Sequence, residues 1–313
     1  MAYDHRPVML EEVLACLQVR PGGKYLDCTV GGGGHLEAIA QLAHPGGRIV
    51  GIDRDPDAVQ AAAARLAPWG ARIFHADFGG LREVLHRAGI DQVDGVLFDL
   101  GASSHQLDTP ARGFSYREDG PLDMRMDPAE PTTAGDLVNR TSADELTRII
   151  RDYGEERWAK RIARAITAAR PLTRTLELAE VIRESIPPAA RRHGAHPARR
   201  TFQALRIAVN RELERIRPAL EAAVDVILPG GRIGVISFHS LEDRIVKETV
   251  RDLARDCTCP PAIPACMCGG GRAKLRPIAN LAPSPAEIAA NPRSRSARLR
   301  VAERLVLALK GEE

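Results

Sequence analysis

The glycine-rich segment Leu26-Asp-Cys-Thr-Val-Gly-Gly-Gly-Gly-His35 constrains the fold of this chain most strongly. An apolar run leads into the glycines, a helical pattern follows, and a second apolar run, Arg48-Ile-Val-Gly-Ile-Asp53, ends on an acid. A strand, a glycine turn, a helix and a strand ending in a carboxylate form the cofactor-binding start of an open α/β sheet. The segment therefore predicts a nucleotide-like cofactor site.

The glycine spacing also separates two classes of cofactor. The dinucleotide fingerprint Gly-x-Gly-x-x-Gly would need a third glycine at Leu36 or Glu37, and neither position has one. A pyrophosphate requires close backbone approach at a helix N-terminus. Four successive glycines ending at His35, with Asp27 on the strand, favour a cofactor without phosphates, and S-adenosylmethionine (SAM) is the obvious candidate.

Composition limits the remaining classes. The 313 residues carry a net charge of only +3 and can bury a core large enough for one or two domains. We expect no membrane span, because no apolar run approaches ~20 residues. The N-terminus lacks the apolar segment of a signal peptide, and the six cysteines show no secretory framework, so a cytoplasmic location is expected.

Strand and helix patterns alternate in the first hundred residues. This alternation predicts a parallel, doubly wound sheet with helices on both faces. Asp55-Pro56 is expected to cap and open the second of these helices. The predicted strands are 24–30, 48–53, 71–77 and 93–100, and the predicted helices are 36–43, 56–66 and 80–88.

The pattern then becomes helical. A helix from a capping box at Ser142 to about residue 169, a helix over 175–186 and a long helix over 201–228, kinked at Pro218, are predicted. Strands return at 231–238, 273–278 and 298–305, and Ser240 is expected to cap a helix between them. We therefore predict a discontinuous α/β domain, 1–105 with 201–313, and an inserted helical domain, 106–200, for substrate recognition.

Acidic and aromatic residues follow the predicted strands. Because ligands bind at the carboxyl ends of parallel strands, these residues are candidates for cofactor contacts. Asp53 lies 20 residues beyond Gly33, the spacing that places a carboxylate on ribose hydroxyls. Asp77 and Phe78 end the third strand, where an acid and a ring could bracket an adenine, and Asp99 ends the fourth strand. Each residue alone could also be an ordinary solvated or structural group, but the set at successive strand ends is far more specific than any one of them.

Several longer motifs closely resemble the MraW family of ribosomal RNA small subunit methyltransferases. The resemblance covers nearly the whole chain and rests on sequence stretches that are hard to match by chance. They are Asp27-x-Thr-x-Gly-x-Gly-Gly-His35, Asp-Leu-Gly-x-Ser-Ser-x-Gln-Leu-Asp (99–108), Gly-Pro-Leu-Asp-Met-Arg-Met-Asp (120–127), Tyr-Gly-Glu-Glu-Arg (153–157), Arg-Thr-Phe-Gln-Ala-Leu-Arg-Ile-x-Val-Asn (200–210), Ser-Phe-His-Ser-Leu-Glu-Asp-Arg (237–244) and Asn-Pro-Arg-Ser-Arg-Ser (291–296).

The resemblance implies a SAM-dependent methyltransferase fold with an inserted helical domain. It implies methylation of the exocyclic N4 amine of one cytosine in the decoding region of 16S ribosomal RNA, within the small ribosomal subunit. Thr29 stands where the ordinary SAM motif has glycine, a departure that the family shares. Carried over by position, the SAM contacts of the family fall on Gly33, Gly34, His35, Asp53, Phe78, Asp99 and Gln106.

Two roles remain open for Asp99. The cytosine amine is a poor nucleophile, so an acceptor for one of its hydrogens would localise its lone pair and later take the proton. Asp99 is the best candidate for this catalytic role, but it could instead only hold the cofactor. His239, which follows the fifth predicted strand, could likewise contact substrate or serve only the fold.

Arginines and lysines concentrate in the predicted insertion and near the C-terminus. Clusters of this kind contact phosphates in nucleic-acid-binding proteins, although any one arginine could be an ordinary solvated residue. We therefore predict that they contact the RNA. The residues are Arg148, Arg151, Arg157, Lys160, Arg161, Arg164, Arg170, Arg191, Arg192, Arg199, Arg200, Arg293, Arg295, Arg298 and Arg300.

Four cysteines lie close together in a segment rich in proline and glycine: Cys257, Cys259, Cys266 and Cys268. Four thiolates at this density could bind zinc, but the Cys-x-Cys spacing is less specific than Cys-x₂-Cys. Thiols without metal, redox-active thiols and disulfides remain alternatives.

The sequence disfavours two other functions. A methyltransferase acting on DNA is disfavoured because the residues after the fourth strand, Asp99-Leu-Gly, lack the acidic or polar residue, Pro-Pro and aromatic of the usual amino-methylating motif. An RNA-binding assembly factor without turnover is disfavoured by the intact glycines, Asp53 and Asp99.

Overall fold

The computed structural model describes residues 7–191, 196–257, 259, 267–268 and 270–306. The chain forms two compact units, one made of Met1–Gly101 with Leu213–Glu313 and the other of Ala102–Glu212. The sequence places the domain boundaries at 105/106 and 200/201 instead. The difference at the second boundary arises because the helix Arg199–Asn210 contributes Phe202 and Leu205 to the core of the second unit.

The first unit contains a seven-stranded sheet with the order β3-β2-β1-β4-β5-β7-β6. The first five strands of that order are parallel, as predicted, whereas β7 pairs antiparallel with both β5 and β6. The α/β Rossmann-like fold is thus confirmed. The strands are β1 (Lys24–Asp27), β2 (Arg48–Asp53), β3 (Arg72–His75), β4 (Val93–Asp99), β5 (Ile227–Ser237), β6 (Leu275–Leu281) and β7 (Arg298–Arg304).

Helices cover both faces of this sheet. Because successive strand residues point to opposite faces, one strand contributes side chains to the apolar clusters on both sides. On β1, Tyr25 belongs to one buried apolar cluster and Leu26 to the other. The helices are α1 (Leu10–Leu17), α2 (Gly34–Ala43), α3 (Pro56–Leu66), α4 (Leu81–Arg87), α5 (Ser104–Asp108), α6 (Ala134–Arg140), α7 (Ala143–Gly154), α8 (Ala159–Ala168), α9 (Thr175–Ser185), α10 (Pro188–Arg191), α11 (Arg199–Asn210), α12 (Glu212–Val226), α13 (Ser240–Leu253) and α14 (Pro285–Ala290).

Gly51 lets α2 approach β2 closely. A Cβ at this position would lie 2.9 Å from side-chain atoms of Val30, Leu36 and Ile73. Only a residue without a side chain fits such a contact. This close packing holds α2 against β2, directly after the glycine turn.

The second unit buries its own apolar cluster between α6, α7, α8, α9 and α11. The prediction of one helix from Ser142 to 169 is wrong: α7 ends at Gly154, and Glu155 adopts a left-handed conformation with φ 47° before α8 begins. Ser142 does cap α7 by accepting the N–H of Glu145.

The long helix predicted over 201–228 is also divided, but not at Pro218. The chain turns at Arg211, whose φ is 49°, and Pro218 lies inside α12. The side chain of Asn210 anchors the last residue of α11. It donates to the carbonyls of Met124 and Arg206 at 2.7 and 2.9 Å and accepts the N–H of Met126 at 2.8 Å.

Within the described residues, no helix combines the length and the apolar character that a membrane crossing requires.

Candidate active site

The candidate residues of the first unit lie where the parallel strands end. Asp27 ends β1, Asp53 ends β2 and Asp99 ends β4, while Phe78 follows β3. The chain direction through the sheet reverses between the neighbouring strands β1 and β4. Such a switch point opens a crevice at the carboxyl ends of the strands, where ligands of open α/β sheets bind.

The glycine turn joins β1 to α2 without bulky side chains. Gly33 is the N-cap of α2 and has φ 85°, a left-handed conformation that glycine adopts without strain. A Cβ on Gly33 would also lie 3.3 Å from Leu66 of α3. Arg65 of the same helix donates a 3.0 Å hydrogen bond to the carbonyl of Gly32. The turn therefore packs against α3, and the sequence pattern gave no sign of Arg65.

Asp53 is fixed by two backbone groups. Its Oδ2 accepts the N–H of Gly31 at 2.8 Å, and its Oδ1 accepts the N–H of Asp55 at 2.9 Å. Burial raises the pKa of Asp53 to about 6, so the carboxylate is mostly ionised at neutral pH. A carboxylate oxygen can accept more than one hydrogen bond. Asp53 can therefore also accept hydroxyl groups of a ribose.

Phe78 and Asp77 have different roles after β3. Phe78 is half-buried and packs edge-to-face on Phe98 with 5.8 Å between ring centroids. The Asp77 carboxylate accepts the N–H of Gly79 at 2.8 Å and pairs with Arg215 at 2.5 Å. Phe78 and Asp77 stay the predicted pair that brackets an adenine, although Arg215 already pairs with the Asp77 carboxylate.

The backbone of Asp99 is held by a hydrogen bond, whereas one of its carboxylate oxygens has no partner among the described residues. Its N–H donates to the hydroxyl of Thr29 at 2.6 Å, which ties β4 to the segment after β1. Among the described residues, its buried Oδ1 has no hydrogen-bond partner, while 26% of the side chain stays exposed. Burial, followed by the negative charge of Glu242, raises the pKa of Asp99 to about 7. The group can exchange a proton near neutral pH.

His35 faces Asp99 through Nδ1. The opposite ring nitrogen, Nε2, lies 2.9 Å from the carbonyl oxygen of Val8. Because a carbonyl only accepts, Nε2 carries the hydrogen and Nδ1 presents a lone pair to Asp99. Burial lowers the pKa of His35 and keeps the ring neutral.

Asp27 is almost fully buried, and burial raises its pKa to about 7. Its Oδ1 accepts the N–H of Thr29 at 3.0 Å. With Asp53 and Asp99 it forms a group of three carboxylates whose pKa values all lie above the ordinary value.

Glu242 is a buried acid that sequence reasoning missed. Its Oε2 accepts the N–H of Phe238 at 2.8 Å, and its own N–H donates to Nδ1 of His239 at 3.4 Å. The predicted cap at Ser240 is therefore wrong, and His239 is the N-cap of α13. Histidine is not a usual cap residue, so the pattern gave little signal.

Gln106, the last predicted SAM contact, belongs to the second unit. It is buried and forms a capping box with Ser103: its Oε1 accepts the N–H of Ser103 at 3.0 Å. Its contact with the cofactor stays a prediction.

The structure also brings the Sγ atoms of Cys257, Cys259 and Cys268 within 4.8 Å of one another. Cys266 lies outside the described residues.

Comparison with known proteins identifies relatives over nearly the whole chain. Residues 2–305 match the model of the MraW methylase family. A Symbiobacterium thermophilum protein is 53% identical over 97% of this chain and 98% of its own length. Proteins of Heliobacterium modesticaldum and Geobacter sulfurreducens are 52% and 51% identical, each over 97% of this chain and 100% of its own length. All three are named Ribosomal RNA small subunit methyltransferase H.

A solved rRNA methylase of Streptococcus thermophilus is far more distant, with 10% identity and a TM-score of 0.42 over 97% of this chain and 99% of its own. The assignment therefore rests on the sequence relatives and the family model. On that basis the chain belongs to the MraW methylase family and is a SAM-dependent methyltransferase.

Proposed function

We propose that this enzyme methylates the N4 amine of one cytosine in the decoding region of 16S ribosomal RNA, within the small ribosomal subunit in the cytoplasm. Curated relatives at 50–53% identity are named as methyltransferases of small subunit ribosomal RNA. The N4 amine of cytosine is proposed as the methyl acceptor because the sequence motifs resemble those of the family. The observation that carries the chemistry is the buried Oδ1 of Asp99, which has no hydrogen-bond partner among the described residues and lies at the switch point of the sheet.

The residues at the strand ends fit the cofactor. Asp53 offers a fixed carboxylate to ribose hydroxyls, Phe78 offers a ring to the adenine, and the glycine turn leaves room for close backbone approach. SAM, when bound, supplies an already activated methyl group. We assign its binding to Gly33, Gly34, His35, Asp53, Phe78, Asp99 and Gln106.

Asp99 is suited to act on the amine of the substrate as well. Its Oδ1 can accept one amine hydrogen, which turns the lone pair of the nitrogen toward the methyl carbon. A pKa of about 7 lets the carboxylate take the proton after transfer and release it to solvent. A purely cofactor-holding role remains the second candidate, and Asp99→Asn separates the two.

The cations of α8 are the best candidates for contact with RNA phosphates. Lys160, Arg161 and Arg164 are exposed, lie on one helix face, and have no ion-pair partner among the described residues. By contrast, Arg148 pairs with Glu145 at 2.5 Å and Arg151 with Asp152 at 2.8 Å.

Other basic residues serve the fold or remain predictions. Arg170 donates to the carbonyls of Val138 and Thr141. Arg300 binds Asp243 with two hydrogen bonds, at 2.7 and 2.9 Å. Arg192 lies outside the described residues. The substrate-recognition role of the predicted domain 106–200 therefore centres on α8.

The test is transfer of labelled methyl groups from SAM to purified small subunits, naked 16S RNA and DNA, followed by mapping of the modified base. We expect label on a single decoding-region cytosine in the subunit and at N4. Label on another base of the 16S RNA would refute the substrate assignment. Methylation of DNA alone would favour the competing DNA methyltransferase function.

A further inference from the structure

Three cysteine sulfurs converge in the segment between α13 and β6. The Sγ atoms of Cys257, Cys259 and Cys268 lie within 4.8 Å of one another, and those of Cys257 and Cys268 are 3.6 Å apart. All three side chains are partly exposed. Neither the cofactor site nor the proposed RNA surface uses them.

Two hydrogen bonds join the two ends of this segment. The N–H of Lys274 donates to the carbonyl of Leu253 at 2.8 Å, and the N–H of Arg272 donates to the side-chain carboxylate of Asp256 at 3.2 Å. These contacts bring the chain just after α13 beside the chain just before β6. Cys257 and Cys268 therefore face each other although eleven positions separate them.

Two backbone N–H groups donate hydrogen bonds to the sulfur of Cys259. Its Sγ accepts the N–H groups of Met267 and Cys268, each at 3.2 Å. Donated N–H groups stabilise the negative charge of a thiolate, which is the form of cysteine that binds metals. Such outer contacts also orient a metal ligand before the ion arrives.

The sulfur separations distinguish a metal site from a disulfide. Sulfurs in a disulfide are ~2.05 Å apart, well short of the Cys257–Cys268 separation of 3.6 Å. Thiolates ~2.3 Å from a tetrahedral zinc ion lie roughly 3.8 Å from one another. The Cys257–Cys268 separation is close to the zinc value, and all three sulfurs lie within 4.8 Å of one another.

We propose that Cys257, Cys259 and Cys268 bind one zinc ion that cross-links the segment between α13 and β6. Three zinc–sulfur bonds form, and each thiol releases its proton to solvent. A water molecule or a further side chain completes the tetrahedral shell. The ion is structural, because the site lies outside the strand-end residues assigned to SAM.

The first experiment measures metal in the full-length protein. The protein is produced in zinc-supplemented medium, purified with a thiol reductant and without chelator, and analysed by elemental mass spectrometry. We expect close to one zinc per chain. Substitution by cobalt(II) should give the intense sulfur-to-metal absorption of a thiolate-rich tetrahedral site. A chain that binds neither zinc chloride nor cobalt chloride under these reducing conditions overturns the proposal.

Serine variants locate the ion. Cys257→Ser and Cys268→Ser should each lower bound zinc at least tenfold after dialysis, whereas Cys16→Ser in α1 serves as the matched control and should retain it. Affinity for SAM, measured by calorimetry, reports whether each variant has folded. Full zinc content in both cluster variants would place the metal elsewhere and refute the assignment. The cobalt spectrum of the unmutated chain decides the matter if the variants fail to fold.

Discussion

Nδ1 of His35 lies 3.6 Å from Oδ2 of Asp99, and the hydrogen on the other side of the ring is held by the carbonyl of Val8. The histidine therefore cannot donate to Asp99 while it is neutral. Asp99 is left with two oxygens that can serve a ligand or a substrate, one of them without a partner among the described residues.

The first prediction concerns the pH dependence of methyl transfer. If Asp99 accepts the amine proton, only its ionised form is active, so the rate should rise as pH increases through about 7 and then level off. Asp99→Asn should lower the single-turnover rate by roughly 10²–10⁴-fold and remove this pH dependence. Saturating SAM and small subunits isolate the chemical step.

The control for this prediction is Asp91→Asn, which changes an exposed acid outside the site. Equal losses of SAM affinity and of rate in Asp99→Asn would show that the carboxylate only holds the cofactor.

The second prediction concerns Asp53. Asp53→Asn keeps the shape of the side chain but removes its charge, which weakens hydrogen bonds from ribose hydroxyls and from Gly31. A lost charge-assisted hydrogen bond costs about 1.5–3 kcal/mol, so the dissociation constant for SAM should rise roughly 10–100-fold. Calorimetric titration with SAM measures it directly. An unchanged constant would remove Asp53 from the cofactor site.

The third prediction tests the cations of α8 against paired cations of α7. The double change Arg161→Ala with Arg164→Ala should weaken binding to 16S RNA and reduce its salt dependence. Each lost phosphate contact lowers the slope of log K against log salt by about 0.7–0.9. Arg148→Ala with Arg151→Ala removes the same charge from arginines that are already paired, so it should have the smaller effect.

Filter binding at several salt concentrations distinguishes the two double variants. Equal losses from both would mean that net charge, and not the α8 face, governs RNA binding.

The fourth prediction concerns the buried acid Asp27. Its pKa is about 7 in the folded protein against 3.8 for an exposed aspartate. Its contribution to stability is therefore fully present below pH 3.8 and is lost as pH rises through about 7. The free energy of unfolding should fall between pH 5 and pH 8 by about 1–4 kcal/mol more in the unmutated chain than in Asp27→Asn.

Urea unfolding at the two pH values measures this difference. Asparagine can still accept the N–H of Thr29, so the comparison isolates the charge. A parallel pH dependence in both proteins would mean that Asp27 is not protonated in the folded state.

Short sequence patterns correctly predict the features of this fold that depend only on neighbouring residues. Asp55-Pro56 marks the start of α3 correctly because a capping carboxylate followed by proline at the first helical position is favoured by backbone chemistry alone. The strand-end acids follow equally well from strand and turn patterns. The division of helices at Glu155 and Arg211 could not be foreseen, since neither residue type favours a left-handed conformation.

Tertiary contacts account for what the sequence could not reveal. Asn210 anchors the end of α11 to a loop more than eighty residues away in the chain. The meeting of Cys257 with Cys268 depends on a closed loop. Neither of these contacts has a local pattern. The ion pair of Arg148 with Glu145, by contrast, joins residues three positions apart on one helix and follows from sequence spacing.

The parallel pairing of β4 with β5 has a consequence for how the chain is made. Asp99 pairs with Ile236, so the sheet remains unfinished until the translating ribosome has delivered more than a hundred intervening residues. The entropy of closing so long a connection exceeds that of a ten-residue loop by only about 2 kcal/mol, so the finished fold is scarcely weakened. During synthesis, however, β4 keeps one edge exposed to wrong partners. The strand that carries Asp99 is thus an unpaired edge of the nascent sheet until β5 has been synthesised.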